Sequence, residues 1–282
     1  MQLDTEAWTS AAGACNEDIH GHAGHATWLL DGATSLSRRT VQAPCGRMIT
    51  DAAHFVSLFS ARFDKSLRLG QDLEQAIESA LDWVRRDRLV AAWMTEGTDT
   101  PSASFCAVRL AGAELEVANL GDVSILLQAD DGGITAFGSS AVRELDAQLL
   151  RQYLRLRVTL PDRAAVWAAL VPLIRANRAR MNQPGGYWIL EPRGAGLPGL
   201  QRTRLPFARR VRGLLVSDGL FRLVDTYRLM SQDHLFITAF TPSGPQQLLK
   251  RLRDAEAGDP AAIRWPRVKL RDDATLVRFE TR

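Results

Sequence analysis

A chain of 282 residues, 46% hydrophobic and 24% charged, has the composition of an ordinary globular protein, long enough for one large domain or two small ones. Its formal charge of +3 is too small to signal a face built for nucleic acid, and Arg85-Arg86 and Arg209-Arg210 read as solvated surface. No apolar run approaches the roughly 20 residues that span a bilayer, the start MQLDTEAWTS has acids where a secretory signal needs a basic segment, and Cys15, Cys45 and Cys106 lack CxxC spacing and fit a reducing cytoplasm.

Residues 2–15 and 26–30 are predicted as the first two strands, with His20, His22 and His25 on a surface turn between them. Apolar residues then recur at three- and four-residue intervals over 51–63 and 73–93, which predicts two helices, the second capped by Asp72. The segment TEGTDTPSAS breaks that pattern. SFCAVRL, ELEVANL, VSILLQA and ITAF follow as a meander, with Gly121-Asp122 interrupting it and ADDGG turning the chain. Helices are predicted over 140–155 and 162–181, a strand over GYWIL (186–190) and another over VRGLLVSDG. Two more helices, near 232–240 and 244–257, lead to a last strand, ATLVRFE. Strands in runs and helices in pairs, without βαβ alternation, predict a single α+β domain over 1–282 with antiparallel sheets.

The chemistry lies in the acids. Asp31 follows an apolar strand and precedes Gly32; Asp122 follows VANLG; Asp218 follows LLVS; Asp272-Asp273 precedes ATLV. Each sits at the end of a strand with a buried pattern, so the acids can converge with little freedom left to lose. Gathered carboxylates need cations between them, and oxygen-only ligands suit hard ions such as Mg²⁺ and Mn²⁺. Asp-Gly is also a common turn dipeptide, which is the plain alternative for any one of them.

In order along the chain, NEDIHG, WLLDGATSL, SASFCAVRL…LEVANLGDVSILL, LLVSDGLFRLVD and RDDATLVRFE resemble the segments of the metal-dependent PP2C (PPM) protein serine/threonine phosphatases of compact bacterial type. The resemblance runs from near residue 12 to the C-terminus. It implies an αββα sandwich, two antiparallel sheets flanked by helix pairs, and two Mn²⁺ or Mg²⁺ ions per chain. Asp31 would bridge the ions and the Gly32 carbonyl would take a further position. Asp218 and Asp272 would complete one ion's site, and Glu17 or Asp18 would hold the other, directly or through water. Asp31, Asp218 and Asp272 are then the residues on which catalysis depends. Asp122 is a third-metal or structural acid, and Asp273 orients its loop. A water held between two cations would attack phosphorus in line.

The chain departs from the family pattern at several places. Gly13 stands where many members have a phosphate-binding Arg, Ala33 where animal members have a His, and Thr34-Ser35 where Gly-Gly is usual. Arg222 stands where SDGxxD has its second Asp. It disfavours a third ion there and, with Thr34 and Ser35, is a candidate for the substrate phosphate. Pro184-Gly185-Gly186 and Tyr187-Trp188 fall where the family has its flap, as groove wall or as core, and Arg178, Arg180 and Asn182 are weaker candidates for binding phosphate or peptide.

The expected activity is hydrolysis of phosphoserine or phosphothreonine in a phosphorylated protein, such as a cognate Ser/Thr kinase or its targets. The expected chain is a cytoplasmic monomer that binds neither nucleic acid nor membrane. The rival reading is a catalytically weak PP2C-fold binding or regulatory module.

Overall fold

The computed structural model describes residues 2–95, 99–128, 132–139, 141–160, 162–207 and 210–282. The chain opens with strands β1 (Leu3–Ser10), β2 (Asp18–His22) and β3 (Ala26–Ala33), then a small hairpin of β4 (Thr40–Gln42) and β5 (Met48–Thr50). Helices α1 (Asp51–Arg68), α2 (Leu73–Val84) and α3 (Arg88–Thr95) lead to the meander β6 (Ser102–Ala111), β7 (Glu114–Leu120), β8 (Ser124–Gln128) and β9 (Ile134–Phe137). The pair α4 (Ala141–Thr159) and α5 (Arg163–Arg178) precedes β10 (Gln201–Pro206) and β11 (Arg212–Val216). A one-turn helix α6 (Asp218–Phe221), then α7 (Gln232–Ala239), α8 (Gly244–Gly258) and β12 (Ala274–Thr281) complete it.

Alternation along these strands decides the layering. One sheet runs β1-β12-β11-β8-β9 and the other β10-β7-β6-β3-β2, with antiparallel pairing throughout. On β3, Leu29 faces the space between the sheets, where it meets Cys106, Ile125, Leu215 and Val277. Its neighbours Trp28 and Leu30 face the other way, onto Phe55, Phe59 and Phe63 of α1. The second sheet splits likewise: Leu215 and Val277 point inward, while Leu214, Val216 and Leu276 pack under α7 and α8. The result is the α/β/β/α order expected of the αββα sandwich, with α4 and α5 forming a separate pair around Tyr153, Val166 and Leu170.

Local chemistry sets the element ends. Thr50 accepts from the Ala53 N–H at the start of α1, and Asp72 with Gln75 forms a capping box on α2. The single helix expected over 73–93 is two, because the Asp87 carboxylate accepts from the N–H groups of Leu89 and Val90 and starts a new helix there. His20 and His22 lie on β2, an edge strand paired with β3, rather than on a turn. Cys15 falls in the bend between β1 and β2 and not on a strand. GYWIL forms only isolated bridges, Met181 with Tyr187 and Leu190 with Ala103, because the Asn182 side chain takes the Ile189 N–H. Tyr187 and Ile189 pack with Leu145 of α4, and Trp188 packs against the helix-side core, so this segment is core. Residues 96–98 of TEGTDTPSAS, 129–131 around the ADDGG turn, and 209 lie outside the described residues.

Gly121 joins β7 to β8 with φ +96°, and a Cβ there would overlap the Ser104 hydroxyl and backbone. Gly121→Ala is expected to destabilise the fold by about 2–4 kcal/mol, from left-handed strain plus overpacking. Chemical denaturation of the variant checks this.

Candidate active site

The period of two that buries Leu29 puts Asp31, two residues on, on the same inner face at the end of β3. Antiparallel register then sets its neighbours. Asp18 of β2 lies directly across from Asp31 on one side, and Ser104 of β6 on the other. From the opposite sheet, β11 ends at Val216 and delivers Asp218 to the first turn of α6, while β8 begins just after Asp122 and β12 just after Asp272-Asp273. The sheets meet at this edge: the Asp218 N–H donates to Asp31 Oδ2 at 3.4 Å.

Repulsion dominates the site. Burial first, then Asp18, Asp218, Asp272 and Asp122, hold the Asp31 carboxyl well above the usual range. Asp18 is only 8% exposed and neither carboxylate oxygen has a hydrogen-bond partner. The Thr275 and Ser217 hydroxyls beside it partly offset its charge, although Thr275 Oγ1 also pairs with Thr9 Oγ1 at 2.7 Å and Ser217 Oγ accepts from the Thr275 N–H at 2.9 Å. Burial, with Asp273 and Asp218 adding to it, pushes the Asp18 carboxyl up to about 8. Asp122 is pushed up to about 6, by burial and then Asp218, although Ser104 Oγ donates to it at 2.5 Å.

Two acids are answered by the protein itself. Asp273 accepts from the N–H groups of Ala12 (2.6 Å) and Glu17 (2.7 Å), tying the β1–β2 bend to the site. Asp272 pairs with Arg222 (Nη2–Oδ2 2.6 Å) and with Lys269 (Nζ–Oδ2 3.1 Å). Burial would raise its carboxyl, but these two cations hold it below the usual range. Arg222 is the C-cap residue of α6, one helical turn after Asp218, and its Nη1 is buried without a partner.

The loop after β3 is strapped down. Asp99 accepts from the N–H groups of Leu36 and Ser37 at 2.8 Å each, and Arg178 donates to the Thr34 carbonyl while pairing with Asp99 at 3.4 Å. Thr34 Oγ1 donates to Glu17 Oε1, and the Gly32 N–H donates to the Glu17 carbonyl at 3.1 Å. Ser35 is buried, its N–H on Asp51 and its hydroxyl on Ser37. Arg178, Arg180 and Asn182 are thus engaged with Thr34 and Asp99, with the Gly185 carbonyl, and with Ile189 respectively. Sequence reasoning passed over Asp99 and Asp146. Asp146, an exposed residue of α4, lies near enough to Asp122 and Asp218 that, beyond desolvation by the surrounding chain, their charges raise its carboxyl. Nothing in its helical context marks it; only the packing of α4 brings it here.

Among the described residues no group of three or more His, Cys, Asp or Glu side chains stands close enough together to hold a metal ion. The donor set nevertheless fits a hard cation at one half of the site. There Asp18 presents two orphaned buried oxygens beside a repelled Asp31, with Glu17 and Gly32 adjacent. At the other half, Asp272 already faces two cations. His20 and His22 are exposed on the far stretch of β2.

A sandwich of two five-stranded antiparallel sheets, with acids at one edge, is the PP2C-like fold. Over its whole length the chain matches solved bacterial PPM/PP2C serine/threonine phosphatases at low identity. The catalytic domain of the serine/threonine protein phosphatase PstP, in complex with two manganese ions, is 17% identical with TM-score 0.56, covering 99% of this chain and 97% of that one. PppA, a regulatory component of T6SS in Pseudomonas aeruginosa, is 14% identical with TM-score 0.59, covering 99% and 97%. The phosphatase Stp1 from Staphylococcus aureus is 13% identical with TM-score 0.54, covering 100% and 96%. No protein-family profile and no curated sequence relative matches the chain.

Two predictions arise here. Asp18 and Asp122 keep protons to about 8 and about 6 in the folded chain, against 3.8 when unperturbed. The unfolded state therefore releases protons first, and these groups cost stability as pH rises from about 4 to about 8. The melting temperature of EDTA-treated protein should fall between about pH 5 and pH 8, and Mn²⁺ should restore it. Asp99→Ala should speed amide exchange at Leu36 and Ser37 by at least about tenfold, the equivalent of one lost bond to a charged acceptor, while β3 and β6 stay protected.

Proposed function

We propose that the chain is a metal-dependent phosphatase of the PP2C (PPM) family, acting on phosphoserine or phosphothreonine in a protein substrate. The observation that carries this reading is the pair Asp18 and Asp31: two facing carboxylates, one with both oxygens buried and unpartnered, a combination that costs stability unless a cation sits between them. Mn²⁺ or Mg²⁺ is the ion class that these oxygens suit, held by Asp31, Asp18 or Glu17, the Gly32 carbonyl and Asp218. The resemblance implies two such ions; the ion pairs on Asp272 bear on the second.

When bound, such a cation lowers the pKa of water toward neutrality and screens charge gathering on phosphoryl oxygens. The chain's own residues do the rest. Asp31 and Asp18, ionised once a cation is present, fix its position from a rigid strand pair. Asp218 starts α6, where helix-end N–H groups favour anions, and orders the edge through its bond to Asp31. Arg222 is the candidate to bind a phosphoryl oxygen in place of the Arg missing at Gly13, and its buried Nη1 requires the edge to open before it can do so. The Thr34 hydroxyl, on the strapped loop, lies beside Glu17. Ser35, being buried, requires that loop to open before it can reach a phosphate.

Partners on this reading are phosphorylated proteins, with a Ser/Thr kinase or its targets as the natural counterpart. No helix of the described residues is long and apolar enough to cross a membrane. The Arg222–Asp272–Lys269 pairs favour one rival, a catalytically weak module of the same fold that binds a partner.

The test is hydrolysis of a phosphothreonine peptide by metal-stripped protein with Mn²⁺ or Mg²⁺ restored. Activity should return with metal, and Asp31→Asn should lower it by more than the roughly 10–100-fold that loss of an outer-shell partner costs. No turnover with any divalent ion, from protein that melts cooperatively, would decide for the binding module.

A further inference from the structure

We propose that Arg222 and Lys269 are built-in counter-ions that take the place of one divalent cation, so that this chain holds a single ion, on Asp18, Asp31, Glu17 and the Gly32 carbonyl. The inference rests on the metal-dependent reading above and changes its ion count.

The acids around Asp31 divide by how their charge is met. Asp273 is met by two backbone N–H groups and Asp122 by the Ser104 hydroxyl. Asp272 is met by a guanidinium at 2.6 Å and an ammonium at 3.1 Å. Asp18 has no cation partner and only the Thr275 and Ser217 hydroxyls beside it, and its two buried oxygens are left for a cation. A cation on Asp272 would have to displace Arg222 or sit in contact with it, against like-charge repulsion in a low-dielectric edge.

Arg222 cannot easily swing away. Its side chain is 13% exposed, its N–H bonds the Asp218 carbonyl at 3.1 Å, and the carbonyl of Arg222 accepts from the N–H groups of Thr226 and Tyr227. The Asp272 backbone is fixed too, since Arg253 donates to its carbonyl at 3.0 Å. Lys269 is 59% exposed and contributes less, as surface ion pairs do, but it adds a second positive charge on the same carboxylate. Arg222 Nη1 is buried without a hydrogen-bond partner, so the guanidinium meets Asp272 through Nη2.

The experiment is Mn²⁺ titration of the metal-stripped full chain by calorimetry, with bound metal counted after dialysis and the Mn²⁺ paramagnetic resonance spectrum recorded. The native chain should bind one ion, with the hyperfine pattern of an isolated Mn²⁺, and Asp31→Asn should bind none. The double variant Arg222→Met, Lys269→Met, which keeps the apolar stems, should bind two and show spin coupling between them. Two coupled ions in the native chain would overturn the counter-ion role and leave the phosphatase reading standing. No ion in a folded native chain would overturn both. One ion in native and double variant alike, at equal melting temperature, would show that the pair does not exclude the second ion and would also overturn the proposal. Lys269→Met alone removes only a surface ammonium, so it remains informative if the double variant fails to fold. It should make a weak second Mn²⁺ event appear in the isotherm where the native chain shows one event, and an isotherm identical to the native one would overturn the proposal.

Discussion

Six aspartates, Asp18, Asp31, Asp122, Asp218, Asp272 and Asp273, crowd one buried edge, and their mutual repulsion is the constraint to which the surrounding residues answer. Three of them are stabilised by different means: backbone N–H groups for Asp273, a hydroxyl for Asp122, fixed cations for Asp272. Asp18 and Asp31 keep their repulsion, and a chain folded only for stability would not hold two such groups facing each other. That imbalance is why the edge reads as a cation site rather than as a set of turns that happen to contain Asp-Gly.

The frame tolerates the repulsion because it is rigid where the acids sit. Asp31 continues a strand whose previous inward residue, Leu29, is locked in the core between the sheets. Asp218 follows β11 and Asp272 precedes β12, strands whose alternate side chains are buried on both faces. Beside this wall lies a more local device. Asp99 and Arg178, from distant parts of the chain, hold the loop that carries Thr34 and Ser35. The hydrogen bonds and the Arg178 charge outweigh burial and keep the Asp99 carboxyl below its usual range. The metal-facing wall and the substrate-facing loop are therefore stabilised by different physics, apolar packing in one and charged hydrogen bonds in the other.

How much of this was legible in the sequence follows from the range of the forces involved. The period of two in WLLDGA and LLVSDG and the amphipathic stripe of α1 are local, and they sufficed for the sheets, the flanking helices and the placing of acids at strand ends. Where a side chain competes for backbone donors, local reading failed. Asp87 splits the predicted long helix, and Asn182 takes the N–H that GYWIL needed to be a strand. His20 and His22 were misplaced for a related reason, since β2 carries little apolar pattern and becomes a strand only by pairing with β3, while His25 does lie in the bend between the two strands. The short strands β4, β5 and β10 escaped notice on the same ground, being edge or hairpin pieces defined by their partners.

By itself, then, the sequence determined the α+β class, the antiparallel strands, and the residues able to bind a hard cation, because hydrophobic periodicity and carboxylate chemistry are properties of short segments. Tertiary structure alone decided which acids face one another and which are already neutralised. Asp18 meets Asp31 through register, Asp146 comes near Asp122 and Asp218 through the packing of α4, and Arg222 finds Asp272 across 50 residues of chain. Coulomb interactions depend on distance in space and on the dielectric around the pair, and neither is fixed until the two sheets close on each other.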